Sequence, residues 1–367
     1  RFSMALQTAG TAQNDERLAE VGFFRRALRQ PEVGALIGAV VVWVFFAIVT
    51  PGNWVSVTGI ARILDSSSTL GIMAVAVALL MIGGEFDLSA GVMTGTTALI
   101  TGILATQLGL SIWLTMVVAL IFALVVGYLN GLMVVKTGLP SFIVTLATFF
   151  ILRGANVGVT RLLVNQVRVA GIDEAPGFQA ARLLFNTEFT LFGAEFRTVT
   201  IWWIVITIVA SWILLRTKYG NWIFATGGDA HAARSQGVPA TWVKIALFMT
   251  TATAAWLVGT MNDLRLRSAV ASQGIGNEFI YIIAAVIGGC LLTGGYGSAI
   301  GAAIGALIFG MVRVGITFSG WDTDWFYAFL GVMLLVAVLV NNFTRKRAEA
   351  VTVATVKAKT GQEEETS

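Results

Sequence analysis

About ten apolar stretches run through this chain of 367 residues, most of them close to the length that crosses a bilayer. A helix rises ~1.5 Å per residue, so a hydrocarbon layer ~30 Å thick needs about 20 apolar residues. The stretches fall at 33–50, 62–82, 87–108, 112–135, 141–157, 198–215, 243–261, 279–292, 299–318 and 325–340. Two of them, 141–157 and 279–292, are short, and are expected to tilt unusually or to lie partly away from lipid. The composition agrees: 56% of residues are hydrophobic and only 12% charged, too few charges to cover a soluble protein of this size. A membrane β-barrel would alternate apolar and polar residues, whereas these runs are continuous. The chain therefore reads as an all-α membrane protein with about ten transmembrane helices.

Lys and Arg near span ends set the orientation. Arg17, Arg25, Arg26 and Arg29 precede the first span, and Arg345, Lys346, Arg347, Lys357 and Lys359 follow the last. An even number of spans puts both termini on one side, which the rule makes cytoplasmic. The organisation expected is a cytoplasmic tail (1–32), a transmembrane domain (33–342) and a second cytoplasmic tail (343–367). Within the domain, loop 217–243 faces the cytoplasm and loop 158–197 the opposite side. Arg265 and Arg267 fall outside, against the rule. The polar start, through Arg29, does not resemble a cleaved signal peptide. Net charge is +4, but the cations cluster at span ends, which argues against nucleic acid as a partner.

Catalytic constellations are missing from the sequence. Its one histidine is His231 and its one cysteine is Cys290, which reads as a packed apolar residue. There is no HExxH, no Gly-x-Ser-x-Gly elbow and no GxxxxGK[ST] phosphate loop; Gly-Lys occurs nowhere. If ATP energises this chain, another chain must hydrolyse it. The ionisable residues within or beside spans are Glu85, Asp87, Arg153, Asp263, Glu278 and Arg313. A charge at the centre of a bilayer costs about 3 kcal/mol or more, so each is a functional candidate. The competing reading places each at a span boundary, in water or headgroups. Asp87 or Ser89 could equally cap the helix that follows, and Arg313 could snorkel. So few buried carboxylates argue for a passive passage driven from outside the bilayer.

One polar island interrupts the spans, from Tyr219 to Pro239. Gly227-Gly228-Asp229 reads as a break followed by an N-cap, residues 230–235 as a short helix, and Gly237 as its left-handed stop before Pro239. The expected product is a short exposed helix between glycines, with Ala232 and Ala233 giving a smooth face to an approaching protein. An ordinary surface helix is the plainer alternative, and His231 then faces solvent. There is also an internal echo. Residues 82–95 and 287–301 both join a span end, a Gly pair, a turn and a new span, and two-fold repeats are common in transporters.

Several segments resemble a known family. They are Gly83-Gly84-Glu85-Phe86-Asp87-Leu88-Ser89-Ala90-Gly91, Asn130-Gly131, Pro140 to Thr148, Arg153-Gly154, Gly227 to Gly237, and Ile283 to Ser298. In this order they are similar to the membrane permease subunits of bacterial ABC importers for monosaccharides, the ribose/xylose/galactose class. The resemblance implies a type II importer permease. It would work with a second permease subunit (a copy or a paralogue), a cytoplasmic ATPase holding ATP and Mg, and a periplasmic sugar-binding protein, all at the inner membrane. This chain would bind no cofactor itself. The island then corresponds to the helix that docks on the ATPase, with Gly228, Asp229, Ala232, Ala233, Arg234 and Gly237 as coupling residues. Polar groups nominated for the substrate pathway are Asp87, Ser89, Asn130 and Thr145. Three features depart from the family pattern: Asp229-Ala230 stands where Asn-Glu is usual, Glu85-Phe86 stands where one residue is usual, and the loop before Thr198 is longer than expected. Permeases for branched-chain amino acids or nucleosides, and a self-contained ion-coupled carrier, remain alternatives.

Overall fold

The computed structural model describes residues 31–336 and 339. Its helices are α1 (Pro31–Val49), the single turn α2 (Pro51–Trp54), α3 (Val57–Ile82), α4 (Ser89–Gln107), α5 (Ile112–Thr137) and α6 (Ser141–Val164). Then follow α7 (Phe178–Phe185), α8 (Thr198–Arg216), α9 (Lys218–Gly228), α10 (Ala230–Ser235), α11 (Ala240–Leu266), α12 (Asn277–Ile287), α13 (Ala299–Phe318) and α14 (Trp325–Val336). Eight are long and apolar enough to cross a membrane, and α12 and α14 are shorter apolar helices. The protein is an all-α membrane protein. Most of the ten apolar stretches of the sequence map onto these ten helices to within a few residues. Both charged tails, which carried much of the orientation argument, lie outside the described residues.

Local chemistry sets the ends. The Ser56 hydroxyl accepts the Gly59 N–H at 3.0 Å to open α3, and Ser298 does the same for Gly301 at the start of α13. Gly138, in the left-handed region, stops α5 just before Pro140. One expectation is overturned here. The stretch at 141–157 is not short: α6 runs 24 residues to Val164. Gly158 and Arg161 had suggested a loop, but backbone groups in lipid must bond internally, and that demand outweighs one glycine's weak propensity. Arg153 consequently sits at the middle of α6, not near a span end.

The core is formed by α3, α4 and α13, the most deeply buried of the long helices. Around it, α1, α5, α6 and α8 turn Ile48, Ile121, Ile151, Leu162 and Ile208 outward. An apolar surface of that extent is untenable in water and ordinary in lipid. Small residues bring the central helices together. A side chain at Gly259 of α11 would strike Thr94 and Thr97 of α4, so the two backbones touch there.

One face of the bundle carries α9 and α10, the loop face. The other carries two small antiparallel ribbons. Strand β1 (Arg168–Ala170) pairs with β4 (Ser268–Val270), and β2 (Glu188–Leu191) with β3 (Ala194–Arg197). The cations that broke the charge rule on this ribbon face are neutralised locally. Asp65 takes Arg265 at 3.0 Å and Arg197 at 3.5 Å, and Asp173 takes Arg267 at 3.6 Å.

Candidate functional site

The island folds as two helices, only the second of which was expected. The first, α9, buries Gly220, Ile223 and Thr226 against the bundle. Its three glycines and polar residues hid it in the sequence. At its end Asp229 turns extended, and its carboxylate accepts the N–H groups of His231 (2.8 Å) and Ala232 (3.0 Å). The N–H of Ala232, then that of His231, hold the Asp229 carboxyl below the ordinary carboxylate range. The other end closes as a Schellman turn: Val238 N–H donates to Ala233 O and Gly237 N–H to Arg234 O, with Gly237 at φ +82°. Thus α10, residues 230–235, is capped at both ends although it is only six residues long.

Its faces differ from the expectation in one respect. His231, Ala232, Arg234 and Ser235 are exposed, but Ala233 is 5% exposed and packs inward on its own chain. Helical spacing puts neighbouring residues about 100° apart, so both alanines could not share the outer face. Arg234 donates its Nε–H to Ala230 O at 3.0 Å, lying along the helix surface. The smooth outward position is Ala232 alone.

Beneath α10 three glycine pairs meet, Gly83-Gly84, Gly227-Gly228 and Gly294-Gly295, the first and last of which lie within the two segments of the internal echo. A Cβ on Gly227 would lie 1.8 Å from Ile82 O and 2.7 Å from Gly295 N. A Cβ on Gly294 would lie 2.7 Å from Gly84 Cα, and Gly295 N–H donates to Ile82 O at 2.9 Å. The end of α3, the end of α9 and the turn after α12 are therefore in backbone contact. A Cβ on Gly228, nominated from the sequence, would meet nothing, although its backbone lies against Gly295, where an added Cβ would come within 2.9 Å of Gly228 Cα. The tightest approach is at its neighbour Gly227. A salt bridge between Lys244 of α11 and Glu85 ties the same region together. A pocket of about 290 Å³ opens beside it, bordered by Ala230, Arg234, Thr241 and Pro140.

The four residues nominated for a pathway also come together, though not around a cavity. Asp87 Oδ1 accepts the Ser89 N–H (2.8 Å) and hydroxyl (2.5 Å); Asn130 Nδ2 donates to Ser89 Oγ (3.1 Å). Thr148 donates to Asn130 Oδ1 at 2.6 Å, and Thr145 Oγ1 accepts the Leu88 N–H at 3.0 Å. Asp87, Ser89, Asn130 and Thr145 are all buried, and each has a partner within the chain. In this conformation the set locks the α3–α4 linker onto α5 and α6; Asp87 accepts the N–H of Ser89, the first residue of α4, although the residue flanking that helix is Leu88. The sequence missed Ser141, whose hydroxyl accepts the Phe86 N–H, and Thr148, although both stand in the quoted Pro140–Thr148 segment. Lys244 gave no signal beyond its charge.

A bundle of membrane-length helices with breaks at Gly pairs, and one capped helix held off its face, is the scaffold of a permease. The chain belongs to the family described as branched-chain amino acid transport system / permease component, whose model matches residues 59–338. Among curated relatives it is 28% identical to the xylose transport system permease protein XylH of Escherichia coli (strain K12), over 86% of this chain and 93% of that protein. It is 31% identical to the ribose import permease protein RbsC of the same strain, over 85% of this chain and 94% of that one. Against the fructose import permease protein FrcC of Rhizobium meliloti the identity is 27%, over 87% of each. No solved structure matches the chain significantly.

Proposed function

We propose that this chain is the membrane-spanning subunit of an ATP-driven importer that carries a monosaccharide through the inner membrane. The observation that carries this reading is α10. A six-residue helix capped by Asp229 and by a Schellman turn gains nothing from burial of its outer face, yet it stands on a backbone junction with α3 and the turn after α12. A force applied to α10 reaches both helix breaks with little intervening slack. A cytoplasmic ATPase docking through Ala232 and Arg234, and binding ATP and Mg itself, supplies that force. A periplasmic binding protein delivers the sugar, and a second permease subunit, identical or paralogous, completes the passage. Loop 217–243 and both termini then face the cytoplasm. The names of the relatives, which are xylose, ribose and fructose permeases, favour a sugar as cargo. The family's description favours a branched-chain amino acid as the second reading.

Reconstitution tests the proposal. The permease, its ATPase and a sugar-binding protein in proteoliposomes are expected to accumulate labelled pentose or fructose only with ATP inside the docking compartment. Uptake of leucine in place of sugar would move the assignment to the second reading. Uptake without ATP that collapses with a proton or sodium gradient would overturn both.

A further inference from the structure

Two departures from ordinary membrane-helix structure converge beside α4. The first is a run of consecutive turns, residues 271–276, in which Gln273 N–H donates to Val270 O and Asn277 N–H to Gly274 O. After β4 the backbone runs along α4 toward the loop face without forming helix. Side chains placed on α4 chart its course: one at Gly102 would touch Ala269, and one at Gly95 would meet Gln273 O at 2.3 Å. One at Gly91 would meet Glu278 Oε2 at 2.1 Å and Gly274 O at 2.7 Å. From Gly102 to Gly91 is about 16 Å of helix. Non-helical backbone at such depth persists only where protein covers it or where it lines water. Ser272 is exposed and residues 273–277 are half-buried, so this chain alone does not cover it.

The second departure is a charge. Arg153 lies at the middle of α6 and is exposed, where hydrocarbon would leave its guanidinium unsolvated. Glu278 is buried and accepts the Gly276 N–H at 3.0 Å; Arg153 makes no ion pair with it among the described residues. Beside Gly274 stands Gln273. Both its amide atoms are shut from solvent, and neither has a hydrogen-bond partner among the described residues. An amide in that position must find its partners in another state of the cycle or on a passing solute.

We propose that residues 271–278 together with Arg153 form a wet wall of the solute passage, where Gln273 and Arg153 hydrogen-bond a neutral polyhydroxylated solute. A primary amide offers donors and an acceptor side by side, matching a pair of neighbouring hydroxyls, and the guanidinium adds a fan of donors for hydroxyl and ring oxygens. Such a surface would hold a sugar weakly and release it, as a passage requires. This inference rests on the importer reading and assigns residues to it.

Two arms test it in the full complex, with labelled D-xylose, D-ribose and D-fructose as probes. In a Cys290→Ala background, Ser272→Cys and Gln273→Cys are expected to react with a membrane-impermeant methanethiosulfonate during turnover, more slowly when the transported sugar is present. In the second arm, Gln273→Ala and Arg153→Ala are expected to raise the uptake KM by about ten-fold, the loss of one hydrogen-bonding group, with Arg153→Lys partly restoring it. Failure of both cysteines to react overturns the wet wall. Uptake within two-fold of the parent in both alanine variants overturns the solute contact. If the parent imports none of the three sugars, the cargo reading fails and the solute contact fails with it, while cysteine reactivity still decides whether the wall is wet.

Discussion

The capped helix α10 and the run of turns at 271–276 are both interruptions of helical structure, and they follow opposite rules. The helix stands in water, so its boundaries obey local chemistry: Asp229 caps the front, Gly237 turns the back and Pro239 forbids continuation. The segment at 271–276 runs alongside α4, and its course is set by what touches it. Glycines at 91, 95 and 102 on a different helix make its channel, and Gly91 is glycine because Glu278 occupies the space of its side chain. On the proposed function, the place where force enters is written in a short contiguous motif, and the place where solute passes is assembled from distant positions.

The largest expected effect breaks the link between these regions. Gly227→Ala drives a methyl group into the Ile82 carbonyl and the Gly295 amide, both backbone atoms that cannot rotate away. It is expected to destabilise the protein by about 3 kcal/mol or more and to abolish uptake, read by thermal unfolding of the detergent-extracted protein. Gly228→Ala, at an open position with φ in the ordinary range, is the control and should unfold with the parent. Equal unfolding of the two variants would remove the junction from the account.

A smaller effect belongs to the buried lock. Asn130→Leu deletes the bridge between Ser89 and Thr148, leaving Ser89 only its bond to Asp87 and Thr148 only its bond to Val144 O. A loss of about 1–3 kcal/mol is expected in the same assay. Asp87→Asn keeps an acceptor for the Ser89 N–H and should retain most uptake. A large loss of uptake with unchanged stability would move Asp87 from the lock to the passage.

The smallest effect concerns the cap of α10 and its pH dependence. The folded Asp229 carboxyl titrates below its unfolded value, so its contribution is complete above about pH 4 and fades as the pH falls through the lower folded value. Amide exchange at His231 and Ala232 should therefore be flat from neutral pH down to that range, after correction for intrinsic rates, and accelerate only in stronger acid. Asp229→Ala should exchange fast throughout, and Asp229→Asn should resemble the parent at neutral pH.

How much was legible in the sequence follows the same division. Residues 230–235 read correctly because each boundary residue has a strong preference of its own. Span 299–318 read correctly because continuous apolar sequence leaves lipid no other solution. Helix α9 was missed because Gly220, Asn221, Gly227 and Gly228 lower its propensity, and tertiary burial of Ile223 compensates. The extension of α6 past residue 157 was missed for a related reason, and with it the central depth of Arg153. The internal echo at 82–95 and 287–301 was visible as a pattern, but its meeting at Gly227 required the fold. Asp87, Ser89, Asn130 and Thr145, nominated for a pathway, fall together in the fold, while their burial reflects packing by α5 and α6 that no local motif encodes.

The central claim is that α10 transmits the work of a separate ATPase, and Ala232 is its most exposed test because the side chain points outward and supports nothing within the chain. The decisive measurement is sugar moved per ATP hydrolysed in proteoliposomes carrying the complete transporter with Ala232→Trp. The account predicts a fall of about ten-fold or more in that ratio while the permease unfolds at the parental temperature. An unchanged ratio, with the variant folded and the ATPase present, would contradict it.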